Sequence, residues 1–491
     1  MMEVKDSPEN RKKCVCPQCP SYPNGCKGEL LYCSPKVGKS RCDVNAAGCL
    51  CQACLVFSEN KLEGLYYCEK EEARPGVLMR KKSSSEEPEF YKQVADIKQI
   101  AASGRSIIAS MGSRKRLPFS LDDLHFIPAQ VSKIPLNKEE KVSTEVVIGP
   151  SAKKPLLISS PIMISGLSYG AVSKNVRLVI SQTCARLKMG FNTGEGGILN
   201  EELPYSKLMI AQYATGRFGI SEDKLKKAAA IEIRFGQGAY PGKGSYLPAE
   251  KMSPEVAELR GLEQGEGAYS PAHHKDMITP QQITQKVTYL RKLTGGVPIG
   301  AKIGCGNVEK DIQVLADAGV DFIALDGFGG GTGATDAYVR DNVGIPIFAA
   351  IPRAHKYLQK LGVRNKITLI AGGNLRTSAD FAKCLALGAD AIYTGTAALI
   401  AINCEQYRIC HTGLCPTGVT THNPALTIQL NVQKGIERLS NWLRVVTEEI
   451  AGFVRICGKN DVRKLDSEDL VSMKNDMAEI TGTQWLKGNA Y

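Results

Sequence analysis

The sequence lacks any uninterrupted apolar run of roughly 18 or more residues, which excludes an ordinary membrane-spanning helix. Its first residues, MMEVKDSPENRKKCVC, are charged and contain no apolar core, so they do not resemble a secretory signal. Aromatic residues make up only 6% of the chain, and no basic stripe alternates with them. This pattern disfavours nucleic-acid binding despite the formal charge of +12. We therefore expect a cytoplasmic protein that binds neither membrane nor nucleic acid.

The chain is long enough for one large core and a smaller domain beside it. It has 491 residues, a hydrophobic content of 43% and 48 glycines, which favours an α/β protein with many tight loops. The basic charge suits acidic substrates or an acidic electron-transfer partner. We predict a cysteine-rich head (1–70), a charged linker (71–88), an N-terminal arm (89–150), a barrel (151–425) and a C-terminal helical extension (426–491).

Short apolar runs alternate with helical segments from Lys154 to about Pro424, as is typical of a parallel βαβ sheet. Strands are predicted in PIGAKIG, VDFIALDG, KITLIAGG and AIYTGT, with helices at 307–318 and 377–387. AGGNLRTS (371–378) and TGTAAL (394–399) fit the ends of the seventh and eighth strands, where such barrels bind phosphate. Further helices are predicted from Phe90 to Ala102 and along the apolar stripe between Ile436 and Phe453.

Ten of the 17 cysteines lie within the first 68 residues, where CVCPQC and CLCQAC are two copies of C-x-C-x2-C. In a reducing compartment, dense cysteines indicate metal or redox centres more often than disulfides. The two copies suggest an internal duplication that holds either zinc or an iron–sulfur cluster, and the spacing does not choose between them. The candidate ligands are Cys14, Cys16, Cys19, Cys26, Cys33, Cys42, Cys49, Cys51, Cys54 and Cys68.

A second group of cysteines, Cys404, Cys410 and Cys415, has the spacing C-x5-C-x4-C within a polar loop. Three thiolates in such a loop suit an iron–sulfur cluster, either one lacking a corner or one with a fourth ligand from elsewhere. The alternative is three cysteines that only pack in the core. The polar neighbours Glu405, Arg408 and His411 disfavour that alternative.

The loop CHTGLCPTGVTTHNP closely resembles the three-cysteine iron–sulfur loop of glutamate synthases. Further motifs of that family follow in order, among them NTGEGG, ATGRFG, GQGAYPGKG, SPAHHKD, AKIG, GFGGGTGA and AGGNLRT. The arm and PIMISGLSYGAVS resemble the archaeal, stand-alone form of the synthase domain. The resemblance covers about three quarters of the chain. It implies a (β/α)8 barrel that binds FMN beside a [3Fe–4S] or [4Fe–4S] cluster, with an added cysteine-rich head that holds a further cluster or zinc.

The resemblance also assigns roles to individual residues around FMN. Gln237 would hydrogen-bond the isoalloxazine ring, and Lys302 would stabilise negative charge on the reduced flavin. The other implied FMN contacts are Met163, Ser165, Ser168, Gly329, Gly330, Gly372, Gly373, Gly395 and Thr396. The last four would hold the phosphate.

The resemblance to the family is less complete at the positions that would bind the substrate. Glu195 and Arg260 match residues that meet 2-oxoglutarate in the family, and Arg234 replaces a lysine. Tyr240 stands where the family has a second lysine, and Tyr246 where it has a glutamine. Two dicarboxylate contacts are thereby replaced by phenols, which leaves the substrate open. Lys302, Gln237 and Glu195 are the predicted catalytic residues.

The predicted function is an oxidoreductase of the glutamate synthase type that reduces 2-iminoglutarate or a related imine. Electrons would come from a ferredoxin-like protein through the clusters. No N-terminal nucleophilic cysteine with a glutaminase domain is recognisable, so ammonia or another amine would come from solution or a separate subunit, and we expect an oligomer. The alternatives are the barrel subunit of a methylamine–glutamate methyltransferase, an electron-transfer module for a partner protein, and a metal-sensing head on an inert barrel.

Overall fold

The computed structural model describes residues 4–23, 28–44, 48–60, 62, 66–69 and 89–486. The predicted linker 71–88 therefore lies outside the described residues, as does Cys26. Eight parallel strands close into a barrel, and each pairs with the next in chain order. These strands are β1 (Ile162–Ile164), β2 (Phe191–Asn192), β3 (Met209–Tyr213), β4 (Ala230–Arg234), β5 (Ile299–Gly304), β6 (Phe322–Asp326), β7 (Thr368–Gly372) and β8 (Ala391–Thr394).

The barrel confirms the predicted fold class, and the strands predicted from its second half are present as β5 to β8. These strands are almost entirely buried, which explains why their sequences are continuous apolar runs rather than alternating ones. The register places functional side chains at one level: Lys302 of β5 pairs with Arg234 of β4 and with Ala324 of β6. The polar residues at the carboxyl ends of the strands consequently face a common rim.

Helices surround the barrel and connect its strands. Those predicted at 307–318 and 377–387 are observed as Val308–Asp317 and Ser378–Ala386, and the predicted arm helix as Glu89–Ser103. The remaining helices are Pro8–Lys13, Leu55–Glu59, Lys174–Leu187, Glu222–Leu225, Pro254–Arg260, Pro280–Leu293, Ala337–Asn342, Ile347–Lys360, Thr396–Ile402, Pro424–Thr427, Val432–Ile456 and Asn475–Thr481. In the part of the chain that the structure describes, no helix is long and apolar enough to cross a membrane.

The C-terminal extension is not purely helical. The predicted amphipathic helix is present as Val432–Ile456, and its stripe packs on Lys174–Leu187. Beyond it, strand Leu470–Ser472 pairs antiparallel with Leu124–Phe126 of the arm and parallel with Gln484–Trp485. The remaining short strands are Ile108–Ala109, Val146–Ile148, Leu156–Ile158, Tyr246–Leu247, Ala268–Tyr269 and Thr335–Asp336.

A buried ion pair supports the loops that carry the site. Arg177 donates from Nε and Nη2 to the carboxylate of Glu202 at 2.6 and 2.5 Å, and the two side chains are 2% and 0% exposed. The Nη1 atom of Arg177 also donates to the carbonyl of Thr193 at 2.8 Å and to that of Leu167 at 3.3 Å. The pair thus holds the loops that follow β1 and β2.

We expect Glu202→Ala to lower the free energy of unfolding by about 3–5 kcal/mol, because it leaves the guanidinium of Arg177 buried without its counter-charge. Urea denaturation of the full-length protein measures the change. Glu309→Ala is the matched control, since Glu309 pairs bidentately with Arg353 at the surface. Its loss should cost less than about 1 kcal/mol. Equal costs for the two variants would contradict the structural role of the buried pair.

Candidate functional site

A glycine-lined cavity of about 890 Å³ lies where the carboxyl ends of the barrel strands meet. The structure brings most of the predicted cofactor residues together in its wall, namely Ser165, Gln237, Lys302, Gly329, Gly330, Gly373, Gly395 and Thr396. Three predicted residues lie elsewhere. Met163 points from β1 toward Gly190 in the core, Gly372 lies within β7, and Ser168 lines a neighbouring cavity.

The lysine at the floor of this cavity is held from two sides. The ammonium Nζ of Lys302 lies 3.1 Å from a carboxylate oxygen of Asp326 and donates to the hydroxyl of Ser165 at 3.3 Å. Asp326 was not predicted, although it ends the predicted strand β6. Asp326 neutralises Lys302, and Arg376 is the only further charged side chain among the described residues of the wall. The wall therefore carries one positive charge in excess.

Several lining residues were missed by sequence reasoning. Asn374 and Arg376 follow the predicted Gly373, and Asn374 adopts a left-handed φ of 57°. Asn at such a position is a recognisable turn signal after a strand. Met111 and Gly112 reach the cavity from the N-terminal arm, where a Cβ on Gly112 would lie 2.1 Å from the carbonyl oxygen of Gly329. No local pattern marks that contact.

A second cavity of about 640 Å³, here called the cation-lined cavity, adjoins the first. All five predicted substrate residues line it: Glu195, Arg234, Tyr240, Tyr246 and Arg260. The two cavities share Gln237, Gly166, Leu167 and Thr332 in their walls. A molecule bound in one cavity therefore lies next to a molecule bound in the other.

Glu195 is held by four donors in the cation-lined cavity. Arg234 donates to one carboxylate oxygen at 2.9 Å, and the hydroxyl of Ser245 donates to the same oxygen. The hydroxyl of Ser270 and the amide of Gly216 donate to the other oxygen at 2.6 and 3.1 Å. Burial alone would raise the pKa of Glu195, but Arg234 and the hydroxyls outweigh it, so the pKa is lowered. Glu195 is therefore ionised and neutralises Arg234.

The two tyrosines have different surroundings. The hydroxyl of Tyr240 accepts a hydrogen bond from Arg234 at 3.1 Å, and burial raises the pKa of Tyr240 to about 12. Tyr246 stacks on the exposed Tyr269, with ring centroids 4.6 Å apart. Tyr240 thus faces the interior as a neutral phenol, whereas Tyr246 forms part of the cavity mouth.

Two further cations lie in the same wall. Arg260 donates to the carbonyl of Tyr169 at 2.8 Å, and burial lowers its pKa to about 10. Lys251, which sequence reasoning missed, is 1% exposed and donates to the carbonyl of Ala171. Burial lowers the pKa of Lys251 to about 8.

Neither Arg260 nor Lys251 forms an ion pair with a carboxylate in the part of the chain that the structure describes. Among the described residues that line the cavity, Arg234, Lys251 and Arg260 are cations and Glu195 is the only anion, so the wall carries two positive charges in excess. Such a cavity suits an acidic ligand.

The loop with Cys404, Cys410 and Cys415 lies against the glycine-lined cavity. All three thiols are buried and close enough to interact electrostatically, and Cys410 contributes to the cavity wall. Burial raises the pKa of Cys404 to about 12. For Cys415 the hydroxyls of Thr417 and Thr420 outweigh burial and lower the pKa.

In the head, the structure brings most of the candidate cysteines together and shows one of them in a disulfide. Eight of the ten candidate cysteines line one cavity: Cys14, Cys16, Cys19, Cys33, Cys49, Cys51, Cys54 and Cys68. Cys42 is disulfide-bonded, and a disulfide sulfur offers no thiolate, so its prediction as a metal ligand is wrong for this structure. Among the described residues, no group of three or more His, Cys, Asp or Glu side chains is placed to hold a single metal ion.

The two histidines of SPAHHKD also differ from one another. His274 is buried behind β4, where its Nε2 lies 2.9 Å from the carbonyl oxygen of Arg234 and its Nδ1 lies 2.6 Å from Arg217. Burial and the positive charge of Arg217 lower the pKa of His274 to about 4. His273 is exposed. Neither histidine lines the two cavities.

A closed parallel barrel with two adjoining cavities at its carboxyl-terminal rim and a buried three-cysteine loop defines the class of a barrel enzyme. A family model described as a conserved region in glutamate synthase matches residues 86–460. The chain therefore belongs to the glutamate synthase family and is an oxidoreductase of that type. A second model, described as a protein of unknown function, matches residues 14–69.

Two relatives with similar sequences agree with this assignment. The chain is 37% identical over 419 residues to a glutamate synthase large subunit-like protein of Rhizobium meliloti, covering 80% of this chain and 95% of that protein. It is 36% identical over 399 residues to the archaeal glutamate synthase (NADPH) of Methanocaldococcus jannaschii, covering 75% and 78%. A doubly substituted flavocytochrome b2 with sulfite bound matches with a TM-score of 0.47 and 14% identity, over 76% of this chain and 80% of that one.

Acidification should destabilise the protein through His274. Its folded pKa of about 4 is lower than the ordinary value of 6.5, so the unfolded chain binds the proton more readily between these values. Stability is therefore lost as the pH falls through that window, by about 2 kcal/mol between pH 7 and pH 5. Urea titrations at both pH values should show a smaller loss for His274→Gln than for the wild type. His273→Gln is the control, and a loss that is unchanged in His274→Gln would contradict the assignment.

Proposed function

We propose that this chain reduces an acidic imine, 2-iminoglutarate or a close relative, to the amino acid. FMN would occupy the glycine-lined cavity, and an iron–sulfur cluster would be bound by Cys404, Cys410 and Cys415. The observation that carries the proposal is the pair of adjoining cavities, of which one has two uncompensated buried cations. Electrons would come from a one-electron donor protein, and ammonia from solution or from a partner.

The glycine-lined cavity fits FMN in position and charge. It lies at the carboxyl ends of the barrel strands, where such barrels bind their cofactors. Gly373, Asn374, Gly395 and Thr396 present the loops after β7 and β8, which is where barrels of this kind bind phosphate. Arg376 supplies the cation that a phosphate needs. FMN, when bound, supplies the two-electron reduction chemistry.

Lys302 and Gln237 are the proposed catalytic residues on the cofactor side. The Nζ atom of Lys302 lies at the cavity floor, where Asp326 and Ser165 fix its orientation. A preorganised cation stabilises negative charge that develops on reduction. Gln237 lines both cavities and can therefore donate to either bound molecule.

The cation-lined cavity would bind the two carboxylates of the substrate. Arg260 and Lys251 are the cations of this wall that have no carboxylate partner among the described residues, while Glu195 positions Arg234 and so acts as a positioning residue. Tyr240 keeps its proton at neutral pH and can donate a hydrogen bond from the place where the family has a lysine. Lys251 supplies an ammonium group in the same wall, so the positive charge that is lost when tyrosine replaces the family's lysine is still present.

The reaction balances in two stages. Ammonia condenses with 2-oxoglutarate, forming the C=N bond and releasing water. The imine then accepts two electrons and two protons and becomes glutamate. The buried cations hold the carboxylates throughout, and Tyr240 lies in the cavity as a candidate proton donor.

Single-turnover reoxidation tests the proposal. Full-length protein is purified anaerobically, reduced with dithionite and mixed with 2-oxoglutarate and ammonium. We expect the oxidised flavin spectrum to return and one glutamate to form for every two electrons that leave the flavin and the clusters together. 2-Oxobutyrate with ammonium is the control for the second carboxylate and should react much more slowly. Indifference to both oxo acids would contradict the proposal and favour an electron-transfer module for a partner protein.

Arg260→Gln should raise the half-saturating 2-oxoglutarate concentration about 10- to 100-fold, because a charge-assisted hydrogen bond contributes about 1.5–3 kcal/mol. Steady-state kinetics with a chemical reductant measure the change, and flavin content should stay constant. Arg186→Gln, which removes an exposed arginine of the helix Lys174–Leu187, is the control. A half-saturating concentration unchanged by Arg260→Gln would remove this residue from the substrate site.

A further inference from the structure

We infer that the head binds two iron–sulfur clusters in crossed ligand sets, in which each half of the duplicated segment lends its third cysteine to the cluster of the other half. One set is Cys14, Cys16, Cys33 and Cys54. The other set is Cys49, Cys51, Cys68 and Cys19. The cluster assignment is independent of the activity proposed above, whereas a role of these clusters as the electron entry rests on that activity.

The duplication extends beyond the two C-x-C-x2-C motifs. Adding 35 to the residue numbers 14, 16, 19 and 33 gives 49, 51, 54 and 68, so a fourth cysteine follows at the same distance in both halves. Cys26 and Cys42 have no counterparts in this repeat. Among the described residues, the cysteines that line the head cavity are these eight, and Cys42 is not one of them. The repeat therefore identifies the described cysteines of the cavity.

The fold of the two halves repeats with the same offset. A short 3-10 turn at Cys16–Gln18 corresponds to one at Cys51–Ala53. A pair of aromatic rings also repeats at this offset. The ring centroids are 6.4 Å apart for Tyr22 and Tyr32 and 6.3 Å apart for Phe57 and Tyr67. The two halves thus form equivalent sites.

Each half aims one backbone amide at a thiol. The amide of Leu31 donates to Sγ of Cys14 at 3.3 Å, and the amide of Tyr66 donates to Sγ of Cys49 at 3.2 Å. Leu31 and Tyr66 adopt left-handed φ values of 60° and 58°, which cost energy for residues with a bulky side chain. N–H donors aimed at ligand sulfurs are a means by which proteins tune iron–sulfur clusters.

The third cysteine of each motif lies beside the opposite half. The thiol of Cys54 donates to the carbonyl of Lys13, immediately before Cys14, at 3.7 Å. The thiol of Cys19 donates to the carbonyl of Gly48, immediately before Cys49, at 3.5 Å. Lys13 and Gly48 are themselves 35 residues apart, so the crossing obeys the same repeat.

Electrostatic neighbours agree with the crossing. The thiols that act on Cys33 are those of Cys54 and Cys14, and all three belong to one packed cluster. The thiols that act on Cys68 are those of Cys19 and Cys49. The second cysteine of each motif interacts with the first: Cys16 with Cys14 and Cys51 with Cys49. Each set therefore contains four thiols.

The surroundings favour iron–sulfur clusters over zinc. The eight cysteines surround a common cavity, whose other described lining residues are apolar or aromatic except for Ser21. In a zinc site four thiolates close on one ion at about 2.3 Å, and no group of three or more such side chains among the described residues is placed to hold a single ion. An exchanged ligand is also the arrangement of two-cluster ferredoxins, in which one cysteine of each run binds the other cluster.

The second set lies against the barrel. A Cβ on Gly48 would lie 3.4 Å from Cδ1 of Tyr407, and Tyr407 interacts electrostatically with Cys49 on one side and with Cys415 on the other. Gln18 shares a groove with Thr412. The set with Cys49 is thus proximal to the three-cysteine loop, and the set with Cys14 is distal. Each cluster would accept one electron from the donor side and pass the same electron on.

Iron and acid-labile sulfide counts on full-length protein, purified anaerobically, test the assignment. We expect about 11 irons per chain, from two four-iron clusters and one three-iron cluster, and no stoichiometric zinc. About two zinc ions with about three irons would overturn the clusters of the head.

Paired substitutions test the crossing. Cys14→Ala combined with Cys54→Ala should lose about four irons, because both ligands belong to one cluster, whereas Cys14→Ala combined with Cys19→Ala should lose about eight. The reverse pattern would overturn the crossing. Cys457→Ala, which removes a buried thiol of the C-terminal extension, should lose none. The iron of the barrel loop serves as an internal check of folding.

An iron-edge anomalous diffraction map of the wild type gives the ligand sets without any substitution. Cys54 bound to the cluster of Cys14 supports the inference, and Cys54 bound to the cluster of Cys49 overturns it. These readouts do not depend on whether 2-oxoglutarate reacts. Intact clusters without glutamate formation would therefore contradict the proposed function alone, and glutamate formation with a zinc-filled head would contradict this inference alone.

Discussion

The carboxylate of Glu195 holds three parts of the barrel rim together. It follows β2, pairs with Arg234 at the end of β4, and accepts hydrogen bonds from Gly216 after β3 and from Ser245 and Ser270 beyond β4. Because Glu195 neutralises Arg234, the charge that remains for a ligand comes from Arg260 and Lys251. A buried charge without a counter-ion is costly, so these two cations are stabilised most when an acidic ligand is present.

The rest of the molecule is arranged around this rim. The glycine-lined cavity adjoins the cation-lined cavity and includes Cys410 in its wall, so a cofactor bound there would contact both the substrate and the three-cysteine loop. Tyr407 in that loop meets the head at Gly48. The head therefore contacts the loop, the loop contacts the cofactor cavity, and the cofactor cavity adjoins the substrate cavity. These contacts are the spatial basis of the proposed electron route.

Much of the fold and part of the site could be predicted from the sequence. The strands β5 to β8 are runs of buried residues, and three of them end in glycine or threonine. Lys302, Gly373, Gly395 and Thr396 lie at or next to those ends as expected. Met163 was misplaced because successive side chains of a strand alternate, and its side chain points into the core. The strands of the C-terminal extension were missed because Leu470–Ser472 is short and its partner lies in the arm.

Other residues could not be found from local pattern. In the sequence Lys251 looks like a surface lysine. Its burial could not be predicted locally, because its hydrogen-bond partner, the carbonyl of Ala171, lies 80 positions away. Arg376 is exposed, and it lines the glycine-lined cavity because of the conformation of the loop after β7. The equal spacing of the two cysteine repeats indicated a duplication, but spacing carries no information on which third cysteine serves which half.

The most direct measurement of the central claim is calorimetric binding of unreactive acids to the oxidised full-length protein. Glutarate carries two carboxylates and butyrate carries one, and the two have similar apolar length. If Arg260 and Lys251 together select a dicarboxylate, glutarate will bind and butyrate will bind at least about tenfold more weakly, which corresponds to about 1.4 kcal/mol. Equal affinity for the two acids, or no binding of either, would contradict a substrate site built on the two uncompensated cations.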